Sequence, residues 1–304
     1  MNEMTDLQRN IPMCMAPDPD TRTPAFTPPA NACDSHCHIF GPAAEYPFAP
    51  DRSYTPPDSG LDTFKALQKT LGLSRAVLVN ASCHGTDNKV ILDAIAQSGG
   101  QYRGVANVDD SFSREDLQAL NDGGVRGCRF NFVKHLGGVP DMAEFHRIVE
   151  RVRPLGWHVV LHFDAVDLLR FKDMLLNLPV PFIIDHMGRV PTAGGLDQQP
   201  FKNLLEVARL EHCWVKVCGA ERIASEGPPF TSAVPFARAV IDVAPDRTLW
   251  GTDWPHPNIK KHMPNDGDLV DLIPLIAPTA EGRQKLLVDN PDRLYRFGEQ
   301  EGAR

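Results

Sequence analysis

The chain has 304 residues, 42% of them hydrophobic, and a net charge of −8. This acidic balance excludes the basic stripe that a nucleic-acid-binding surface needs. No apolar run approaches the roughly 20 residues of a membrane-spanning helix, and the first residues lack the apolar segment of a signal peptide. The seven cysteines form no C-x-x-C pair, so we expect buried, reduced thiols in a cytoplasmic protein.

The chain begins with a segment of different composition from the rest. Residues 1–30 are rich in Pro, Thr and Asp and show no sustained period. We expect a tail or a wrapping arm there. Residues 31–304 are expected to form a single domain, because no internal repeat or low-complexity linker divides them.

Eight apolar runs are candidate strands. Most are continuous rather than alternating, which is typical of parallel strands that are covered on both faces. In chain order they are Ala32–His38, Arg75–Asn80, Arg103–Val108, Gly127–Phe132, Trp157–Phe163, Val180–His186, Cys213–Cys218 and Arg247–Thr252.

Amphipathic stretches separate these strands. They are Leu61–Leu71, Lys89–Gln97, Ser113–Leu120, Glu144–Leu155, Asp167–Leu178, Phe201–Leu210, Ser232–Val243 and Ala280–Val288. Ser113 with Asp116 predicts a capping box, and Gly156 predicts a helix end. Eight strand–helix units predict an α/β fold, a (β/α)8 TIM barrel. A doubly wound open sheet is the alternative, but no G-x-G-x-x-G loop follows the first strand.

Potential metal ligands stand at the ends of several strands. His36 and His38 are two residues apart, so on a strand they leave the same face. His162, His186 and Asp253 end the fifth, sixth and eighth candidate strands. The carboxyl ends of barrel strands meet at one mouth, and imidazole with carboxylate ligands is a usual set for Zn²⁺ or Mn²⁺. We predict one divalent ion held by these five residues, with metal-free catalysis left open.

Several motifs resemble those of a known family. His36-x-His38, Asp185-His186-Met187-Gly188 and Gly251-Thr252-Asp253-Trp254-Pro255-His256-Pro257 resemble the amidohydrolase superfamily. Two further stretches, residues 81–88 and 127–132, resemble more narrowly the lactonases that act on 2-pyrone-4,6-dicarboxylate. The resemblance runs from about Ala32 to Tyr295.

The resemblance implies a substrate pocket and a reaction. The matching substrate-binding positions are Tyr54, Ser82, His84, Thr86, Arg129 and Arg222. Arginines suit the grip of a carboxylate or sulfonate by paired hydrogen bonds. The implied reaction is hydrolysis of a small anionic lactone from aromatic-compound breakdown. Asp253 would move the proton, His186 would polarise the carbonyl and Arg129 would hold the anion.

The chain departs from the pyrone-dicarboxylate pattern at two positions. His162 stands where those lactonases have Tyr and work without a metal, and His135 stands where they have a second carboxylate-binding Arg. The first change restores the usual superfamily metal set. The second makes a sulfonated lactone, as in a 4-sulfomuconolactone hydrolase, a serious alternative.

Other functions remain open at this level. A lactone isomerase or a decarboxylase of the same superfamily could use the same His and Asp residues. A barrel that only binds sugar acids or metals is the non-enzymatic alternative, and a homo-oligomer is left open. Arg189, which follows His186-Met187-Gly188, is either a further anion contact or a loop charge.

Overall fold

Eight parallel strands follow one another around the sheet in chain order. The structure is a computed structural model that describes residues 11–298. The strands are β1 (Cys33–Cys37), β2 (Arg75–Val79), β3 (Tyr102–Ala106), β4 (Val125–Asn131), β5 (His158–His162), β6 (Phe182–Ile184), β7 (Cys213–Lys216) and β8 (Thr248–Leu249). Each strand pairs in parallel with the next. The predicted (β/α)8 barrel is confirmed.

Helices cover the outside of the sheet. They are α1 (Leu61–Leu71), α2 (Lys89–Ala96), α3 (Arg114–Asp122), α4 (Met142–Val152), α5 (Lys172–Leu176), α6 (Gln199–Ala208), α7 (Ala220–Ile223), α8 (Val234–Val243), α9 (Asp266–Asp271), α10 (Ile273–Ile276), α11 (Ala280–Gln284) and α12 (Asn290–Tyr295). The predicted capping box of Ser113 and Asp116 is present at the start of α3. None of the helices between residues 11 and 298 has the length and apolarity to cross a bilayer.

Backbone hydrogen bonds join the end of β8 to β1 and so close the barrel. Ser35 donates to the Trp250 carbonyl at 2.9 Å, and Asp253 donates to the His36 carbonyl at 2.8 Å. The buried Asp34 carboxylate accepts from the Thr252 amide at 3.0 Å and from its hydroxyl at 2.6 Å. The β8 strand has only two residues, but these hydrogen bonds hold the chain that follows β8 against β1.

An apolar layer fills the barrel interior below the mouth. It is made of Cys33, Val77, Val79, Val105, Val160, Ile183, Trp214 and Leu249, with Tyr295 and Phe297 against it. A larger cluster lies between the outer face of the strands and the helices. Both faces of the strands are therefore covered, as the continuous apolar runs predict.

The helical pattern departs from the sequence-based prediction in two places. The fifth predicted helix, Asp167–Leu178, begins as a 3₁₀ segment over Ala165–Phe171 and continues as α5. The eighth, Ala280–Val288, is α11 followed by a π-helical turn over Lys285–Asp289. The helices α7, α9, α10 and α12 were not predicted, because each has at most six residues and so shows too little periodicity.

The described part of the first segment lies against the domain. Met13 pairs with Thr55 in an isolated bridge. Arg22 forms ion pairs of 2.6 Å with both Asp268 and Asp271 of α9, and Phe26 packs on the core. Residues 1–10 lie outside the described residues, so the predicted tail is seen only in its second part.

The chain that follows β8 lies so close to β1 that there is no room for a side chain at Gly251. A Cβ there would lie 2.5 Å from the His36 amide nitrogen and 2.8 Å from Asp34 Oδ1. We expect Gly251→Ala to lower the free energy of unfolding by about 1–3 kcal/mol, the usual cost of overpacking. Urea titration measures this, with Gly60→Ala as control because its Cβ would meet nothing nearer than 3.8 Å. Equal stability of the two variants would contradict the prediction.

Candidate active site

A cavity of about 350 Å³, counting the open solvent at its mouth, lies at the carboxyl ends of the strands. We call it the inner cavity. Its lining is made of His38, Tyr54, Arg129, His135, Leu136, His162, His186, Arg189, Arg222, Asp253, Pro257 and Asn258. The side chains that the sequence places at strand ends therefore meet at one mouth, as the barrel fold requires.

The strand period explains why polar groups face the barrel interior here. Val160, Ile183 and Trp214 belong to the interior apolar layer. Two residues further along each strand stand His162, Asp185 and Lys216, which share the same face because side chains alternate. The barrel interior thus changes from apolar to polar over two residues of each strand toward the mouth.

Asp253 is the point at which three imidazoles converge. Its Oδ1 lies 3.5 Å from His36 Nε2 and 3.3 Å from His38 Nε2. Its Oδ2 lies 3.9 Å from His186 Nε2 and also pairs with the Arg222 guanidinium. Asp253 is only 1% exposed, so this carboxylate depends on protein groups rather than on bulk water.

Hydrogen bonds at the far ring nitrogens orient the histidines. His38 Nδ1 donates to the Val79 carbonyl at 2.7 Å, which leaves Nε2 unprotonated, with its lone pair toward Asp253. His162 Nδ1 lies 3.1 Å from Asn131 Oδ1, so its Nε2 is also a lone pair. His186 Nδ1 lies 3.3 Å from the Cys218 sulfur.

A buried lysine lies behind His36. Lys216 Nζ is 2.9 Å from His36 Nδ1 and 3.3 Å from Asp185 Oδ1. Arg129 Nε donates to the other oxygen of Asp185 at 3.0 Å. Sequence reasoning assigned no role to Lys216 or Asp185. The available signal was a lysine inside the apolar strand Cys213–Lys216, which a buried strand tolerates only with a partner.

Burial and neighbouring charges set the protonation states. Burial and the Lys216 ammonium hold the pKa of His36 well below its usual range. Burial lowers the pKa of His186 to about 3. Burial alone would raise the pKa of Asp253, but Arg222 and His186 hold that pKa well below its usual value. His36 and His186 are therefore neutral and Asp253 is ionised at neutral pH.

The ligand set for a divalent ion is partly assembled. His36, His38 and Asp253 offer ligand atoms within 4.8 Å of one another, and so do His36, Asp185 and His186. His162 belongs to no such group among residues 11–298. The buried Nε2 atoms of His36 and His162 have no hydrogen-bond partner within the described chain. An unpartnered imidazole nitrogen beside a carboxylate, as His36 Nε2 is beside Asp253, suits Zn²⁺ or Mn²⁺.

Which ring nitrogen of His36 carries the proton decides whether its Nε2 can bind a metal ion. Donation by the Lys216 ammonium to Nδ1 places the imidazole proton on Nε2, which is not a ligand form. Asp185 Oδ1 lies 3.3 Å from the same Nδ1. A proton on Nδ1 directed at Asp185 frees Nε2 as a ligand, in the manner of a carboxylate that orients a metal-binding histidine.

The predicted substrate residues separate into two sets. Tyr54, Arg129 and Arg222 line the inner cavity. The structure does not place Ser82, His84 or Thr86 in that lining. His84 is buried with its ring 5.0 Å from Phe48, and Thr86 is exposed.

A second charged cluster supports the chain beyond Asp253. His256 Nε2 lies 3.1 Å from Asp266 Oδ1, and its Nδ1 lies 3.8 Å from Glu221 Oε1. Burial would lower the pKa of His256, but Asp266 and Glu221 raise it to about 10. The resulting cation ties the loop that carries Asp253 to the start of α9.

A wider space, which we call the outer cavity, adjoins the inner one. It has a volume of about 1650 Å³ including open solvent. His135, Arg189 and Arg222 line both cavities. Its other charged side chains are Glu221, Glu226, Lys260, Lys261 and His262.

Comparison with known proteins settles the family. The amidohydrolase family model matches residues 33–297. The chain belongs to the amidohydrolase family. It is 51% identical over 282 residues to a 2-pyrone-4,6-dicarboxylate hydrolase of Comamonas testosteroni, with 90% of this chain and 92% of that one covered. It is 43% identical over 291 residues to a 4-sulfomuconolactone hydrolase of Rhizobium radiobacter, with 95% and 97% covered.

A solved amidohydrolase from Burkholderia multivorans with bound zinc shares the fold. Its TM-score is 0.65 at 20% identity, with 88% of this chain and 99% of that one covered. Zinc is thus found in a protein of this fold, and the chain holds groups of residues with ligand spacing.

Proposed function

We propose that this amidohydrolase hydrolyses the ring ester of a small anionic lactone of aromatic-compound catabolism. The observation that carries the proposal is Asp253, which is ionised among three imidazoles in a cavity that arginines line. The two relatives above are lactone hydrolases by name, and their similarity spans nearly the whole chain. Pyrone-dicarboxylate and sulfomuconolactone are the two substrate types to test first.

Arg129 and Arg222 hold the substrate in this proposal. Within residues 11–298, Arg129 bonds Asp185 through Nε, and its two terminal nitrogens have no bond to another described residue, so they can bind a carboxylate or sulfonate in the inner cavity. Arg222 bonds Asp253 and the Pro257 carbonyl. Fixing the anion between rigid guanidinium groups orients the ring carbonyl and removes a large entropic barrier.

Asp253 accepts the proton of the attacking water. The water oxygen bonds to the ring carbonyl carbon while its proton passes to an Asp253 oxygen. The bond from that carbon to the ring oxygen then breaks, and Asp253 returns the proton to the departing oxygen. The depressed pKa of Asp253 keeps it ionised, as a base must be before each turnover.

His186 polarises the carbonyl. Burial raises the pKa of Cys218 well above its usual value, so the sulfur remains a thiol. A thiol that donates to His186 Nδ1 leaves the imidazole proton on Nε2, on the Asp253 side. A neutral imidazole donor there stabilises the negative charge that develops on the carbonyl oxygen.

We infer that His36, His38 and Asp253 hold one divalent ion, with His186 beside them. Zn²⁺ is the best match to two imidazoles and a carboxylate, and Mn²⁺ is the alternative. When bound, such an ion lowers the pKa of a coordinated water toward about 7. Its positive charge also offsets the carboxylates of the site.

The metal assignment predicts metal content. Elemental analysis of protein purified without added metal should find about one equivalent per chain, which is the capacity of one three-ligand site. His38→Gln should lower that content strongly, because it removes the lone pair facing Asp253. His146→Gln, an exposed change on α4, is the control. Full activity in a preparation shown to be free of metal would overturn the assignment.

Turnover of a panel of lactones tests the proposed reaction. Carboxylated, sulfonated and neutral lactones are supplied to the purified protein, with and without chelator, and acid release is followed. Hydrolysis confined to the anionic members supports the proposal. Release of CO₂ or a ring-shifted lactone would assign the site to a decarboxylase or an isomerase. Binding of anionic lactones without turnover would favour a non-enzymatic barrel.

A further inference from the structure

Lys216 forms one corner of a buried polar triangle behind the site. Its Nζ is 2.9 Å from His36 Nδ1 and 3.3 Å from Asp185 Oδ1. The third side of the triangle, from His36 Nδ1 to Asp185 Oδ1, is also 3.3 Å. All three side chains are 0% exposed. An ammonium group in the barrel interior needs such partners, because a buried charge without them is very costly.

The His36 ring separates Lys216 from the proposed ion site. Its Nδ1 meets Lys216, while its Nε2 lies 3.5 Å from Asp253 Oδ1. Among residues 11–298, the lining of the inner cavity includes His38 and Asp253 but neither His36 nor Lys216. Lys216 therefore has no contact with the space in which a substrate would bind, and it can influence the site only through its neighbours.

The contact with Lys216 favours one tautomer of His36. An ammonium group has only donors, so its hydrogen bond to Nδ1 uses the lone pair of that nitrogen. The ring proton then lies on Nε2 and points toward Asp253. The other tautomer would place an N–H group on Nδ1 at 2.9 Å from the ammonium nitrogen, so that two donors face each other. Because hydrogen bonds from an ionised donor are strong, Lys216 stabilises the form with the proton on Nε2.

A divalent ion needs the opposite tautomer. A metal-binding imidazole offers a lone pair, and the proposed ligand atom of His36 is Nε2. His38 already offers such a lone pair, because its Nδ1 donates to the Val79 carbonyl at 2.7 Å. His36 can do the same only when its proton lies on Nδ1 and is donated to Asp185. Asp185 thus favours the ligand form of His36, and Lys216 opposes it.

We propose that Lys216 is a positioning residue that holds the proton of His36 on Nε2 and thereby limits the affinity of the site for a divalent ion. Asp185 has the opposing role, and the two groups together set how tightly the ion is held. The inference rests on the proposed function, because it concerns the ion assigned there to His36, His38 and Asp253. The competing explanation is that Lys216 only neutralises Asp185 and leaves the tautomer of His36 unchanged.

Nitrogen NMR of protein labelled with the heavy nitrogen isotope in its histidines tests the tautomer without any ion. In metal-free wild-type protein the proton of His36 should lie on Nε2, and in Lys216→Met it should lie on Nδ1. Methionine fills the space of the lysine without its charge, and Asp185 keeps Arg129 Nε at 3.0 Å. The His36 signals are identified by their absence in His36→Gln. The same tautomer in both proteins would overturn the inference.

The affinity for Zn²⁺, measured by competition with a coloured chelator, is the second readout. Lys216→Met should bind the ion about 10- to 100-fold more tightly, the range for one hydrogen bond to a charged group. Asp185→Asn should bind it about 10- to 100-fold more weakly, because the carboxylate that accepts the Nδ1 proton is lost. If the ion pair of Lys216 with Asp185 were merely structural, both variants would bind the ion more weakly.

Arg129→Met is the matched control for charge. Arg129 pairs with Oδ2 of Asp185, whereas His36 meets Oδ1, so this variant removes a positive charge without changing the contact at His36 Nδ1. Its gain in Zn²⁺ affinity should be smaller than that of Lys216→Met, and an equal gain would overturn the inference. Thermal unfolding of the metal-free proteins checks that each variant is folded. Lys216→Gln, which removes the charge but keeps a polar end, replaces Lys216→Met if that variant does not fold.

The outcomes separate this inference from the proposed function. Zn²⁺ binding by the wild type with no gain in Lys216→Met would overturn the role of Lys216 alone. Binding by Lys216→Met but not by the wild type would support that role and refute the assignment of an ion to the wild-type protein. Binding by neither protein would overturn both. Hydrolysis of lactones is measured separately and does not enter either readout.

Discussion

Asp253→Asn should lower kcat by about 100-fold or more, the usual contribution of a general acid–base group. The amide keeps the shape of the carboxylate but cannot accept the proton of water. KM should change little, because Arg129 remains free to hold the substrate anion. Steady-state kinetics on the anionic lactone that turns over best provides the measurement.

Two controls separate lost chemistry from lost structure in this variant. Arg222 loses its carboxylate partner when Asp253 is replaced, so thermal unfolding must show a folded protein. Asp268→Asn makes the same chemical change at α9, where the carboxylate pairs with Arg22 outside the cavity. That control should keep normal kcat. A near-normal kcat in Asp253→Asn would remove Asp253 from the mechanism.

Arg129→Met should lower kcat/KM by at least about 30-fold. The side chain is 6% exposed, and loss of one partner in a buried charged pair costs about 2–5 kcal/mol. Asp185 keeps the Lys216 ammonium at 3.3 Å, so the carboxylate is not left without a partner. Comparison of an anionic lactone with a neutral one tells whether Arg129 acts on the substrate charge.

The control for Arg129 is Arg147→Met. Arg147 of α4 pairs with Asp110 on the solvent-exposed outside of the barrel, where an ion pair contributes little to stability. Its kinetics should match those of the wild type. Unchanged kinetics in Arg129→Met would make Arg129 a structural residue, and an equal loss on the neutral lactone would show that it does not recognise the anion.

The sequence predicted most of the barrel because the strands are apolar runs with His and Asp residues at their ends. His36, His38, His186 and Asp253 followed from that pattern, since the side-chain period and the barrel mouth bring them together. Their proposed roles are still predictions. The short helices α9 and α10 were missed because six and four residues show no clear periodicity.

The polar network behind the histidines could not be predicted in the same way. Lys216 contacts His36 across 180 positions of sequence, and only the curvature of the barrel makes them neighbours. The family resemblance suggested Thr86 for the substrate pocket, and that role stays a prediction. Thr86 is exposed and is not part of the inner-cavity lining.

Isotope tracing of a single product tests the central claim most directly. The purified protein is supplied with 2-pyrone-4,6-dicarboxylate in water enriched in the heavy oxygen isotope. Mass spectrometry should find a ring-opened acid that has gained one water and carries one heavy oxygen in its new carboxylate. A product of unchanged elemental composition without the label, or one that has lost CO₂, would contradict hydrolysis at this site.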